Sequence, residues 1–316
     1  MRSAFVKSIA EVMETNSKVV LLIADIGAYL LRDVKSRFPE RFINVGIAEA
    51  NMINMAVGLS MDGWIPFVYT ITPFVTSRSY DQIRVGVGYN GGDVKIVGIG
   101  SGISYAGLGG THHSIEDIAI MRAIPGMTIV SPSDGVETGE AVRAVAFHQG
   151  PVYLRLMLNA PALDIVYEKP FAIGKSRVVR GPAESEITIL VTGELLGEVL
   201  LVSDMLTNEG IGVRVVNVST IKPLDLDVVR QALESKYIFT VEEHSVIGGL
   251  GSAIAEALFD INKTWKMPML TRIGINDQIV RKYGHKHELY SYLGLDSEGI
   301  HKQIKKIYAG PLENIN

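Results

Sequence analysis

The chain reads as two consecutive α/β domains with mostly parallel sheets, and three observations predict this. Short β-branched runs alternate with helical patterns at Val19–Ala24, Val94–Ile99, Thr128–Val130 and Val152–Leu154, the rhythm of βα units around a parallel sheet. The rhythm breaks between Pro161 and Ser185, where Pro161, Pro170, Gly174, Gly181 and Pro182 mark a linker with short extended pieces. It restarts at Ile187–Val191 and runs on through Val213–Val218, Tyr237–Val241 and Met269–Ile273. The expected domains are residues 1–160 and 186–316, joined by 161–185, and 316 residues suffice for two full cores.

Composition narrows the chemistry. A net charge of −4 and a pI near 6.0 give no electrostatic footprint for nucleic acid or an anionic membrane. The chain has no cysteine, which excludes disulfides, thiolate catalysis and cysteine metal sites. Carboxylates, histidines, hydroxyls or a bound cofactor must do the work. The first residues lack the apolar core of a signal peptide. The longest uncharged stretch, Ile96 to Ile115, holds six glycines and two histidines, so it reads as loop and not as a membrane span. A cytoplasmic protein is expected.

Glu49 is the residue with no obvious reason to be where it is. Between Arg41 and Asp62 it is the only formally charged side chain, and from Ile47 onward the segment is apolar nearly all round. That pattern predicts a buried helix. A carboxylate there costs several kcal/mol to bury unless something answers it. It is either a catalytic proton-sharing group or a helix-start carboxylate seated on the positive end of the dipole.

Three further stretches carry candidate chemistry. Pro66–Phe74 reads as a strand running into a helix that continues through Tyr80-Asp81-Gln82-Ile83-Arg84. Aromatic side chains at the carboxyl end of a strand can stack on a flat ligand; core packing is the other reading for Phe67 and Phe74. In Gly107–Asp117 the glycines let backbone approach a ligand, and Ser114 is a candidate cap for the following helix. Adjacent His112 and His113 diverge and lack a matched Glu/Asp/His spacing, so one acting on substrate and one structural fits better than metal. No metal ligand set is expected on this chain. Val241–Gly251 is a strand–loop–helix glycine turn, weak as a nucleotide signal by itself.

Taken in order, these segments resemble the transketolase family of thiamine diphosphate enzymes. Val45-Gly46-Ile47-Ala48-Glu49 is similar to the family segment whose glutamate binds the aminopyrimidine ring. Thr70-Ile71-Thr72-Pro73-Phe74 sits where the family places the aromatic that stacks on that ring. Gly109–Asp117, Ile124–Met127 and Ser131–Gly135 match its next stretch, while Glu242–Gly251 and Tyr292–Ile300 resemble its C-terminal domain. The resemblance covers nearly the whole chain and implies a pyrimidine-binding domain followed by the C-terminal domain.

It also implies roles. Glu49 would share a proton with the pyrimidine ring nitrogen and so help the weakly acidic thiazolium carbon to ionise. Phe74 is the candidate stacking residue, with Val75 as the competing register and Ile71 in place of a flanking aromatic. Asp25 matches an acid near the cofactor, and its other reading is a strand-end turn residue. His112 matches the histidine that touches substrate oxygens, and Arg2 an arginine that grips substrate. His113, His244, His285 and His287 are expected at the surface or in satisfied structural roles.

Two absences shape the expectation of partners. The Gly-Asp-Gly motif that holds the diphosphate and its metal does not occur here. The resemblance therefore implies the second subunit of a split transketolase, whose N-terminal partner holds the diphosphate with Mg2+ or another divalent cation. An α2β2 assembly is expected, with self-dimerisation of this chain and sugar substrates. Several family positions that read an acceptor's hydroxyl and phosphate fall on Leu108, Tyr29, Gly100 and Met157. These lack charged donors, so an acceptor without a terminal phosphate, or with phosphates farther out as in a nucleotide sugar, is expected. The β subunit of a 2-oxoacid dehydrogenase E1 component and a non-catalytic subunit are the alternatives.

Overall fold

The computed structural model describes residues 1–27, 29–160, 162–165, 167–262 and 267–309. Pro161, one of the linker markers, and the last residues of the second predicted domain, 310–316, lie outside them. The strands are β1 Val19–Ile23, β2 Phe42–Asn44, β3 Ile65–Ile71, β4 Lys95–Ile99, β5 Thr128–Val130, β6 Val152–Leu156, β7 Arg177–Arg180, β8 Ile187–Val191, β9 Val213–Asn217, β10 Thr220–Lys222, β11 Tyr237–Ser245 and β12 Met269–Ile275. They form two sheets, ordered β10-β5-β6-β4-β3-β1-β2 and β12-β11-β8-β9-β7. All pairings are parallel except those of the edge strands β10 and β7.

The helices of the first half are α1 Arg2–Thr15, α2 Arg32–Arg37, α3 Glu49–Met61, α4 Thr72–Val75, α5 Tyr80–Gln82, α6 Asp117–Arg122 and α7 Gly135–Phe147, and the second half opens with α8 Leu196–Asn208. The second half adds α9 Leu226–Ala232, α10 Leu250–Ile261, α11 Lys286–Leu293 and α12 Ser297–Tyr308. Both faces of each sheet are covered, which is why central strands such as β1, β4 and β8 are buried at every position and do not alternate. One face of the first sheet packs Phe5, Ile9 and Val142 from α1 and α7. The other packs Met52, Ile53 and Ile118 from α3 and α6.

Two features lie outside the sequence reading. One of the short extended pieces expected in the linker is β7, which pairs antiparallel with β9 and so belongs to the second sheet. Three residues of the second half, β10, add antiparallel to β5 at the edge of the first sheet. The halves are also joined by buried polar contacts. Arg155 donates from Nε to Asp117 Oδ2 at 2.7 Å and from Nη2 to the Glu243 carbonyl at 2.9 Å. The Ile103 amide donates to Glu243 Oε1 at 2.6 Å.

Candidate functional site

Glu49 opens α3, where its carboxylate sits at the positive end of the helix dipole. The helix is not buried all round, contrary to its apolar sequence. Met52, Ile53, Ala56 and Val57 are buried, while Asn51, Asn54, Met55 and Gly58 face outward. The carboxylate does have an answering charge, from a residue the sequence did not single out. Arg78 Nη1 donates to Glu49 Oε2 at 3.1 Å. The pair is unequal: the Glu49 side chain is 5% exposed and the Arg78 side chain 50%.

Phe74 completes the cluster. β3 delivers the chain to the carboxyl edge of the sheet, and α4 turns it there with Pro73 in its first turn. Thr72 Oγ1 and Ser101 Oγ, 2.9 Å apart, tie the ends of β3 and β4 together beneath it. Phe74 is half-buried, with the Arg78 guanidinium carbon 4.1 Å from its ring centroid. His112 meets the same ring edge-on, centroids 5.3 Å apart. Val75, the competing register, is fully buried in the core and does not reach this cluster. Ile71, the last residue of β3, is half-buried.

His112 is carried by the glycine loop before α6. Its Nδ1 lies 2.9 Å from Thr111 Oγ1, and its ring is edge-on to Tyr105 at 5.5 Å. Tyr105 was not singled out by the sequence. Its ring fills the space beside Gly100, whose φ of +75° and lack of a side chain both require glycine: a Cβ there would lie 2.1 Å from the ring. Burial pushes the Tyr105 hydroxyl up, and the charge of nearby Arg2 opposes it. Arg2 itself lines a cleft of about 470 Å3 with Met1, Tyr29, Leu30, Leu158 and Asn159. Tyr29 and Leu108 are exposed and Met157 is buried.

Asp25 lies two residues past the end of β1, in the left-handed region with φ +49°. Its amide donates to Asn44 Oδ1 and its Oδ1 accepts from Asn44 Nδ2, both at 3.1 Å. The exposed strand-end turn is plain in this geometry.

The remaining candidates resolve individually. Ser114 does not cap α6, whose first turn has no side-chain cap; its Oγ is buried without a partner. His244 is satisfied, with Nδ1 2.7 Å from the Ser245 carbonyl. His285 and His287 are exposed. His113 departs from expectation, being buried with neither ring nitrogen hydrogen-bonded. The glycine turn after β11 serves a protein carboxylate: Glu242 accepts from the amides of Leu250 at 2.6 Å and Gly251 at 2.8 Å. A Cβ on Gly249 would lie 1.9 Å from that carboxylate, so the glycine fits the cap and a phosphate has no place there.

The cluster can present one buried carboxylate and one ring face to a planar, nitrogen-bearing ligand, with His112 alongside. Those are the groups an aminopyrimidine requires, so this half of the cofactor fits. Among the described residues no group of three or more His, Asp or Glu is arranged to hold a metal ion, and no helix is long and apolar enough to cross a membrane.

Comparison with known proteins gives the following. The pattern described as the transketolase pyrimidine binding domain matches residues 1–159, and that of the transketolase C-terminal domain matches residues 174–300. A 6-deoxy-6-sulfo-D-fructose transketolase subunit from Clostridium sp. is 39% identical over 90% of this chain and 90% of its own. An apulose-4-phosphate transketolase subunit from Phocaeicola vulgatus is 36% identical over 95% of each. A solved structure described as a split gene transketolase, inactive beta4 tetramer, superposes with a TM-score of 0.85 at 33% identity, covering 98% of this chain and 97% of that one.

Proposed function

The chain belongs to the transketolase family, and from that premise we propose that it is the pyrimidine-binding subunit of a two-chain enzyme. The family transfers a two-carbon ketol unit from a ketose to an aldehyde and depends on thiamine diphosphate. Relatives of nearly equal length are named as transketolase subunits, which favours this reading over a 2-oxoacid dehydrogenase β subunit or a non-catalytic scaffold. We assign the diphosphate and its divalent metal, Mg2+ by preference, to an N-terminal partner subunit.

The observation that carries the reading is the convergence of Glu49 and Phe74, from separate βα units, on one cluster beside His112. When bound, thiamine diphosphate supplies a carbon nucleophile and an electron sink. Glu49 holds or shares the proton at the pyrimidine ring nitrogen, in surroundings dry enough to keep that exchange strong. Phe74 orients the ring, and His112 donates to oxygens of the sugar. Asp25 and Ile71 complete the rim of the cofactor site. The catalytic assignment is thus Glu49 and His112, with Arg2 binding substrate.

The acceptor site is poor in cations. Arg2 is the one charged side chain lining its cleft among the described residues, so we propose an acceptor without the usual terminal phosphate, or one whose anionic group lies farther out.

The second chain has a face to meet. Ile47, Met61 and Tyr89 are 79%, 64% and 87% exposed on and beside α3, apolar side chains that a self-dimer or partner would cover. The deciding test pairs this chain with a subunit carrying the Gly-Asp-Gly motif. Tight cofactor binding and ketol transfer should appear only in the mixture, and submicromolar binding of thiamine diphosphate with magnesium by this chain alone would overturn the assignment.

A further inference from the structure

One guanidinium holds both groups that the aminopyrimidine needs. Arg78 donates to Glu49 Oε2 at 3.1 Å while its guanidinium carbon lies over the Phe74 ring, 4.1 Å from the centroid. A guanidinium and a protonated aminopyrimidine are alike in the relevant chemistry: each is flat, carries positive charge and presents N–H donors at its edge. Each is suited to a carboxylate and an aromatic face together.

Resting on the assignment of Glu49 and Phe74 to the aminopyrimidine, we propose that Arg78 is a built-in competitor for that half-site, a latch that must swing aside as the ring enters. Burial gives the latch its direction. Glu49 is almost wholly enclosed and cannot remain ionised there alone at low cost. Arg78 is half in water, so leaving the pair restores its hydration. The carboxylate thus passes from one planar cation to another, and is never left buried without one.

The backbone permits this motion. Arg78 sits in the turn between α4 and α5, where its amide donates to the Pro73 carbonyl at 3.1 Å. Its backbone is held while the long side chain is free to change rotamer. Glu49 is the one carboxylate within hydrogen-bond reach of the guanidinium among the described residues. Departure therefore breaks one ion pair and one ring contact.

Thiamine, which carries the aminopyrimidine without the diphosphate, is the probe. Its affinity for the full chain is read by ligand-observed NMR, with folding checked by circular dichroism. Arg78→Met removes the charge and keeps the reach, so it should bind thiamine about tenfold tighter than wild type, the weight of a half-exposed ion pair plus a cation–π contact. Arg78→Lys should fall between, and Arg78→Gln replaces the methionine variant if that does not fold. Adding Glu49→Ala should abolish the gain. Unchanged or weaker binding by Arg78→Met, with Glu49→Ala still lowering affinity, overturns the latch and leaves the half-site assignment standing. Thiamine affinity indifferent to Glu49→Ala, or binding detectable in no variant, overturns both.

Discussion

Phe74 and Val75 are neighbours in the chain, yet they leave α4 in different directions. Val75 is fully buried in the core cluster that also holds Met52, Ile83 and Ile118, whereas Phe74 stays half-buried against Arg78 and His112. Four residues of helix are enough to rotate consecutive side chains about 100° apart. The two variants should therefore separate cleanly. Val75→Ala should lower stability by roughly 2 kcal/mol through the cavity it leaves, read as a shift in denaturation midpoint. Phe74→Ala should barely move that midpoint but weaken cofactor affinity of the paired enzyme about three- to tenfold. The reverse pattern would show that the register had been misread.

Glu49→Gln should leave circular dichroism and melting close to wild type while turnover of the paired enzyme falls by about 10²- to 10⁴-fold, the usual reach of a positioned proton-sharing group. A rate within a few-fold of wild type would remove Glu49 from the chemistry.

Arg2→Gln should act on substrate and not on catalysis. For an anionic acceptor KM should rise about 10- to 100-fold with kcat nearly unchanged, as for loss of one charge-assisted hydrogen bond. A neutral aldehyde acceptor should be indifferent to the substitution. Equal loss with both acceptors would place Arg2 outside the acceptor cleft.

Glu137 anchors the junction of the two halves. Its carboxylate is buried and accepts from Arg177, Ser219, the Ser133 amide at 2.6 Å and Asn217 Nδ2 at 3.0 Å. Glu137→Ala should cost about 3 kcal/mol or more, because among the described residues Arg177 would keep only Glu140 as a charged partner. Urea denaturation measures it, and a loss under 1 kcal/mol would mean that the network contributes little.

His113 should make stability pH-dependent. Burial pushes its imidazole below the ordinary value, opposed by the Glu243 charge and assisted by that of His112. On acidification the unfolded chain then takes the proton first, so stability falls as pH drops below the unfolded-state value of about 6.5. Between about pH 7.5 and about pH 5.5 the wild-type melting temperature should decline more steeply than that of His113→Leu. Parallel slopes would show that His113 titrates normally.

Much of this protein could be read from its residues in order. The continuous β-branched runs located the central strands to within a few residues, because a strand buried on both faces writes its burial into consecutive positions. Glu49 stood out because a lone carboxylate in an apolar segment is costly wherever the chain goes. The family followed from motifs recurring in order over nearly the whole length.

What the residues in order left open was the identity of partners. Arg78 answers Glu49 from 29 positions away, and nothing in either segment names the other. Tyr105 reaches the site only because Gly100 leaves room for its ring. β10 is three residues long and joins the sheet of the other half, too short to show a period. Local periodicity records whether a position is buried, since that cost is paid residue by residue. Which side chain answers a charge, and which edge a short strand completes, is decided by long-range packing that exists only once both sheets have formed.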